Sequence, residues 1–152
     1  ADTQAIMEPA DSVSAAIADA DIICAVTSSP TPILFGRDVR PGTHINLVGS
    51  SFPDRAEADT DLVVRSRYFI DYRESALAQA GEFLKAKAEG AVTDGHIVGE
   101  IGQVLAGNVT GRQTAGEITV YKSLGIAAQD LAAASHVVAV AARDGVGQLL
   151  GL

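Results

Sequence analysis

Four short apolar runs, separated by polar and helical stretches, leave this chain few folds to choose from. They are residues 21–27 (DIICAVT), 44–49 (HINLVG), 68–72 (YFIDY) and 118–122 (ITVYK). Nearly continuous apolar runs of this length fit strands buried on both faces, as in a parallel sheet sandwiched by helices. Helical segments lie between them. A short helix over 13–18 starts behind a cap at Asp11 or Ser12, and a second covers 59–66. The stretch 74–90 reads as helix with Gly81 as a candidate break, 96–105 reads as a short helix closed by Gly107, and an Ala-rich helix spans 128–142. Residues 4–7 read as the end of a further strand before Pro9. This alternation predicts an α/β fold, a parallel sheet with helical crossovers.

Sheets of this kind bind ligands outside the carboxyl ends of their strands. The residues to watch are therefore Thr27-Ser28-Ser29, Gly49-Ser50-Ser51, Asp71 and Ser123-Leu124-Gly125. Most are small, hydroxyl-bearing or glycine, which lets a flat ligand come close to the backbone. The same residue types are good turn formers, and spacing alone does not choose between the two roles. Asp71 is placed to cap the helix that follows it, near Glu74.

With 152 residues the chain is long enough for one domain with a core. Its net charge of −8 offers no basic surface to displace counterions from a nucleic acid, and serves solubility instead. A single cysteine, Cys24, excludes an internal disulfide and a cysteine-cluster metal site. Lying in an apolar run, it is expected to be a buried, inert thiol. No apolar stretch approaches the roughly 20 residues of a membrane span, and no signal peptide is visible. The expectation is a soluble, cytoplasmic protein with no membrane partner. His44 is expected to be structural, and neither His96 nor His136 has neighbours at metal-ligand spacing, so no metal is expected.

Several segments in this order resemble one family. They are residues 20–32 (ADIICAVTSSPTP), 41–49 (PGTHINLVG), 100–107 (EIGQVLAG), Gly111-Arg112 and 117–125 (EITVYKSLG). Together they resemble the ornithine cyclodeaminase/mu-crystallin family from about Ser12 to the end of the chain. The resemblance implies a homodimer of chains roughly twice this length. It also implies a Rossmann domain opened by a glycine-rich phosphate loop, with NAD or NADP chosen after the second strand. No GxGxxG occurs here, and Gly145-Val146-Gly147 is a lone GxG with no strand before it. Residues 1–152 are thus read as the second half of a Rossmann-like NAD(P)-binding domain plus a C-terminal helix. On that reading the chain, which does not begin with Met, starts inside a longer protein. The glycine loop, the substrate-carboxylate arginines and the catalytic lysine of the family would lie upstream.

The resemblance also assigns roles. Thr27 matches a threonine at the end of the fourth Rossmann strand, beside the dinucleotide, with its hydroxyl near ribose or phosphate. Asn46, Leu47, Val48 and Gly49 match the strand whose end passes under the nicotinamide. Ser123, followed by Leu124, matches a serine near the carboxamide. Lys122 stands near the pocket or on the surface, and Arg55 near the cofactor or in a solvated loop. Gln79 falls at the substrate edge of the pocket. Ser51 takes the catalytic position at which cyclodeaminases of the family carry an aspartate for proton transfer. A serine cannot act as a carboxylate base near neutral pH. This departure points to the branch reducing cyclic imines, such as ketimines or Δ1-pyrroline-2-carboxylate, with NAD or NADP. An ornithine cyclodeaminase with bound NAD and a non-catalytic dinucleotide- or small-ligand-binding protein stay open as alternatives.

Overall fold

The computed structural model describes residues 6–148 and Leu150. The Ser12 side chain accepts from Ala15 N and starts helix α1, Val13–Ile17. Strand β1, Ile22–Ala25, and strand β2, His44–Leu47, pair in parallel. Asp59 caps helix α2, Thr60–Arg65, which leads straight into strand β3, Ser66–Ile70. Helices α3, Arg73–Gln79, and α4, Gly81–Ala88, follow, with the break where glycine suggested it. Then come strand β4, Ile97–Glu100, helix α5, Ile101–Leu105, strand β5, Ile118–Lys122, and helix α6, Ala127–Asp144. The strand order is β1-β2-β5-β3-β4, with every pairing parallel. This is the fold class the sequence implied. Of the stretch 4–7, Gln4 and Ala5 lie outside the described residues, and Ile6 and Met7 belong to no strand.

One face of the sheet carries the core. Ile23, Ala25, Ile45, Leu47, Tyr68, Ile70 and Val120 pack against Leu62 and Val63 of α2, Ala76 of α3, and Phe83 and Ala86 of α4. The other face is covered only in part. Over β3 and β5 the segment after α5 closes it, with Arg67 donating from Nη2 to Thr110 O at 2.9 Å and from Nε to Gly111 O at 3.1 Å. Over β1 it lies open: Ile22 is 65% and Val26 69% exposed. The expectation of two buried faces therefore fails for β1, and so does that of a buried Cys24, which is exposed. Cys24 alternates with Ile23 and Ala25, so the strand's period of two turns it to the open side.

The stretch 96–105 is not one helix. Its first residues form β4, an edge strand paired only with β3, across an irregular register at Tyr68/Phe69. The helix begins after Glu100, where a reciprocal capping box with Gln103 starts α5. Four residues containing Gly99 carry too little strand signal to separate from the helix behind them. Among the described residues no helix is long and apolar enough to cross a membrane. Helix α6 buries none of its residues, and Leu131 and Val138 are more than 60% exposed on it.

Candidate functional site

Parallel pairing in register brings four strand ends level. Leu47 lies opposite Ala25 on one side and Lys122 on the other, and Lys122 lies opposite Ile70. The residues after β1, β2, β5 and β3 therefore emerge along one edge of the sheet. This is where the α/β rule puts a ligand. Buried charged groups hold the edge together.

Glu57 is the first. Its side chain is fully buried, and its carboxylate joins two exits. Oε1 accepts from Thr27 N at 2.6 Å and from the Thr27 hydroxyl at 2.8 Å, while Oε2 accepts from Gly49 N at 2.8 Å. Its backbone is fixed as well, for Glu57 O accepts from Ile33 N and Leu34 N at 3.0 and 2.9 Å, and Asp59 N returns to Leu34 O. Gly49 is small because of this knot. A Cβ there would sit 1.9 Å from Thr27 O and 2.4 Å from Glu57 Oε1.

Asp71 is the second. Oδ2 accepts from Leu124 N at 2.6 Å and Gly125 N at 2.7 Å, and Oδ1 accepts from Tyr72 N. The expectation that Asp71 caps the helix after it is corrected: α3 has no side-chain cap, and the carboxylate instead grips the loop after β5. Ser123 N donates to Leu47 O at 2.9 Å, which carries that loop across to the β2 exit.

The third is Lys122. Its ammonium lies 3.1 Å from Glu82 Oε1 and donates to Ser50 O, with both side chains wholly buried. The Tyr68 hydroxyl donates to the same Glu82 oxygen at 3.3 Å. Burial pushes the Glu82 carboxyl above the usual carboxylate range, and the Lys122 charge pulls part of that back. Burial, with the Glu82 charge beside it, raises the Tyr68 phenol well above its ordinary value. Lys122 thus points into the helix layer and supports the loop containing Ser50 from beneath, and its ammonium does not open on the exit edge.

The remaining residues singled out in the sequence divide between the edge and its surroundings. Thr27 is exposed at the β1 exit, and Ser51, Ser123 and Leu124 are half-buried along the edge. Leu47 is wholly buried in the core, Val48 is exposed, and Asn46 faces the open side with Nδ2 3.6 Å from Cys24 Sγ. Arg55 donates from Nη1 to Ser28 O at 2.9 Å, with its guanidinium over the Phe52 ring, and so ties two exit loops together. Gln79 is exposed at the end of α3, two residues before Gly81, whose Cβ would meet Arg55 O and Phe52 O. Sequence reasoning passed over Glu57 and Glu82 and misjudged Asp71. Glu57 lies in a polar stretch with no spacing rule to mark it.

A separate hollow of about 350 Å³ lies under α5 on the partly covered face, lined by His44, Phe69, Val104, Arg112 and Thr119 among others. His44 Nδ1 is 2.8 Å from Thr119 Oγ1, which also accepts from Arg112 Nη2 at 3.0 Å. Burial lowers the His44 pKa, the Arg112 charge lowers it further, and Asn46 beside it pulls the other way. Among the described residues no three His, Cys, Asp or Glu side chains are grouped to hold a metal ion.

A parallel sheet with helical crossovers and level, hydroxyl-bearing exits defines half of a Rossmann-like dinucleotide-binding domain. The family model for the ornithine cyclodeaminase/mu-crystallin family matches residues 3–144, and the chain belongs to that family. It is 41% identical over 126 residues to a Δ1-pyrroline-2-carboxylate reductase of Colwellia psychrerythraea, covering 83% of this chain and 40% of that protein. It is also 41% identical to the ketimine reductase mu-crystallin of Mus musculus, covering 83% of this chain and 37% of that one. The solved Thermococcus litoralis Δ1-pyrroline-2-carboxylate reductase, in complex with NADH and L-proline, superposes with a TM-score of 0.86 at 33% identity. That match covers 93% of this chain and 44% of that one. The chain spans about two-fifths of the length of the relatives it matches.

Proposed function

We propose that residues 1–152 are a partial Rossmann-like domain of an NAD(P)-dependent reductase acting on a cyclic imine, a ketimine or Δ1-pyrroline-2-carboxylate. The protein would be cytoplasmic and homodimeric, with the glycine-rich loop in another part of the polypeptide. The level exits of β1, β2 and β5 carry this reading, because they present Thr27, Val48 and Ser123 along one edge. The edge suits the nicotinamide end of a dinucleotide, with exposed Val48 for the ring and the hydroxyls of Thr27 and Ser123 for its polar groups. When bound, the cofactor supplies a hydride to the C=N carbon. The work of this chain is to hold the edge rigid, orient the ring and exclude water. Ser51, half-buried beside the edge, would shape the substrate side without taking a proton as a carboxylate does. Gln79 would stand at the substrate margin, and Arg55 would brace the loops that carry the cofactor. Lys122 would act from beneath through Ser50.

The test is an assay of the polypeptide that carries this chain. NADH or NADPH absorbance is followed with Δ1-pyrroline-2-carboxylate and with its six-membered homologue as substrates. Imine-dependent consumption of reduced cofactor is expected. Formation of proline and ammonia from ornithine, without net consumption of reduced cofactor, would overturn the reading in favour of cyclodeamination. Dinucleotide binding without turnover of any imine would favour a binding protein.

A further inference from the structure

The Thr27 hydroxyl has one proton and two lone pairs to distribute. Its neighbours settle most of that distribution. A carboxylate oxygen only accepts, so the bond of 2.8 Å to Glu57 Oε1 uses the hydroxyl's proton. Ser29 N donates to Thr27 Oγ1 at 3.2 Å and uses one lone pair. One lone pair is left, on a residue exposed at the exit edge.

Glu57 has no freedom to release that proton. Both its oxygens are engaged by Thr27 N, the Thr27 hydroxyl and Gly49 N, its side chain is fully buried, and its backbone is clamped between residues 33 and 34. Rotating the carboxylate away would leave the Thr27 and Gly49 N–H groups without this acceptor.

We propose that Glu57 is a positioning residue of the dinucleotide site, which fixes the Thr27 hydroxyl as an acceptor toward the ligand. Thr27 then takes an O–H or N–H donor of the nicotinamide riboside end and refuses a phosphate oxygen. This rests on the reading that a dinucleotide lies across these exits. It also narrows that reading, since a hydroxyl at a strand end is otherwise equally fit for ribose and phosphate. The donor is a ribose hydroxyl or the carboxamide NH2, which share this chemistry.

Glu57→Gln probes the arrangement directly. With its oxygen toward Thr27, the amide NH2 confronts Gly49 N–H. With its NH2 toward Thr27, the amide confronts Thr27 N–H, and the hydroxyl is forced to accept from it and turns its proton outward, which reverses its polarity. Thr27→Val removes the hydroxyl and leaves the carboxylate.

The experiment measures the affinity of the polypeptide carrying this chain for NADH and NADPH, the KM for the reduced cofactor and kcat, with melting temperature recorded for each variant. E57Q and T27V are each expected to weaken dinucleotide affinity about tenfold, with kcat changing less than about twofold. The double variant is expected to be no weaker than T27V alone, because Glu57 acts through the hydroxyl that T27V has removed. Multiplicative losses in the double variant, or unchanged affinity in E57Q at a lowered melting temperature, would show a merely structural carboxylate and overturn the proposal. Should E57Q fail to fold, T27V decides: a tenfold loss supports the proposal and unchanged affinity overturns it. The 3-acetylpyridine analogue of the cofactor lacks the carboxamide NH2. A T27V penalty that vanishes with this analogue assigns the donor to the carboxamide, and a retained penalty assigns it to the ribose. A wild-type protein that binds neither NADH nor NADPH defeats the underlying reading, which is separate from the failure of this one.

Discussion

Lys122 Nζ lies 3.1 Å from Glu82 Oε1, and neither side chain has any exposed surface. The pair sits directly beneath the exit loop, because the same ammonium donates to Ser50 O. Removing one partner of a buried pair leaves an uncompensated charge, which costs about 3–5 kcal/mol, whereas replacing both by apolar groups often costs little. Lys122→Met is therefore expected to destabilise the protein by about that much, and Lys122→Met with Glu82→Leu by far less. Urea unfolding of the two variants checks this. Equal losses would mean that the pair is not what holds this layer.

Asp71 ties the end of β3 to the loop after β5. Asp71→Asn keeps one acceptor oxygen but sets an NH2 against either Tyr72 N–H or the two N–H groups of Leu124 and Gly125. Leaving such donors unpaired costs about 1–3 kcal/mol. The expected result is a destabilised protein in which the amides of Leu124 and Gly125 lose hydrogen-exchange protection, while that of Ile23 in β1, at the far edge of the sheet, keeps its own. Uniform loss of protection across the sheet would contradict a local tie.

The sheet was largely legible in the sequence and its supports were not. The runs at 21–27, 44–49, 68–72 and 118–122 announced their strands because apolar β-branched residues crowd together there. Strand β4 escaped because Ile97–Glu100 is short, interrupted by Gly99 and continuous with the helix behind it. Cys24 misled because an apolar run says nothing of whether a second layer covers both faces. The exit residues Thr27, Gly49 and Ser123 followed from the rule about strand ends, and their family resemblance sharpened them. Glu57, Asp71 and Glu82 lie 30, 53 and 40 residues from their partners Thr27, Leu124 and Lys122. Such pairings are made by the fold, so no local spacing could display them.

Gly49 offers a sharper test of the knot at the exits. A Cβ there would lie 1.9 Å from Thr27 O and 2.4 Å from Thr27 N, both backbone atoms that cannot swing aside. Gly49→Ala is expected to cost at least about 3 kcal/mol, toward the upper end for overpacking. It should also spread the β1 and β2 exits, so that under the proposed function dinucleotide affinity falls with stability. Gly116→Ala, where an added Cβ meets nothing within 4 Å, serves as the control. Thermal unfolding of both variants checks the contrast, and a G49A protein as stable as wild type would rule out the close packing described here.

His44 gives the chain an acid sensitivity away from the exits. Arg112 can only donate to Thr119 Oγ1, which leaves that hydroxyl one lone pair and its proton to share with His44 Nδ1. The neutral ring completes the chain of bonds in either tautomer, accepting from the Thr119 hydroxyl or donating to it. Burial and the Arg112 charge hold the His44 pKa below 6.5 in the fold, despite the opposing pull of Asn46. In the unfolded chain the ring regains its ordinary value near 6.5. Between those two pKa values the unfolded state binds more protons, so stability rises with pH through that window. Lowering the pH from about 7 toward 5 is thus expected to destabilise the wild type by this route. His44→Gln, whose amide oxygen can accept from Thr119 without titrating, removes that component. Denaturant midpoints of the two proteins measured across this range should converge as the pH falls, with the variant losing less stability than the wild type. Parallel pH profiles would show that His44 does not titrate in this interval.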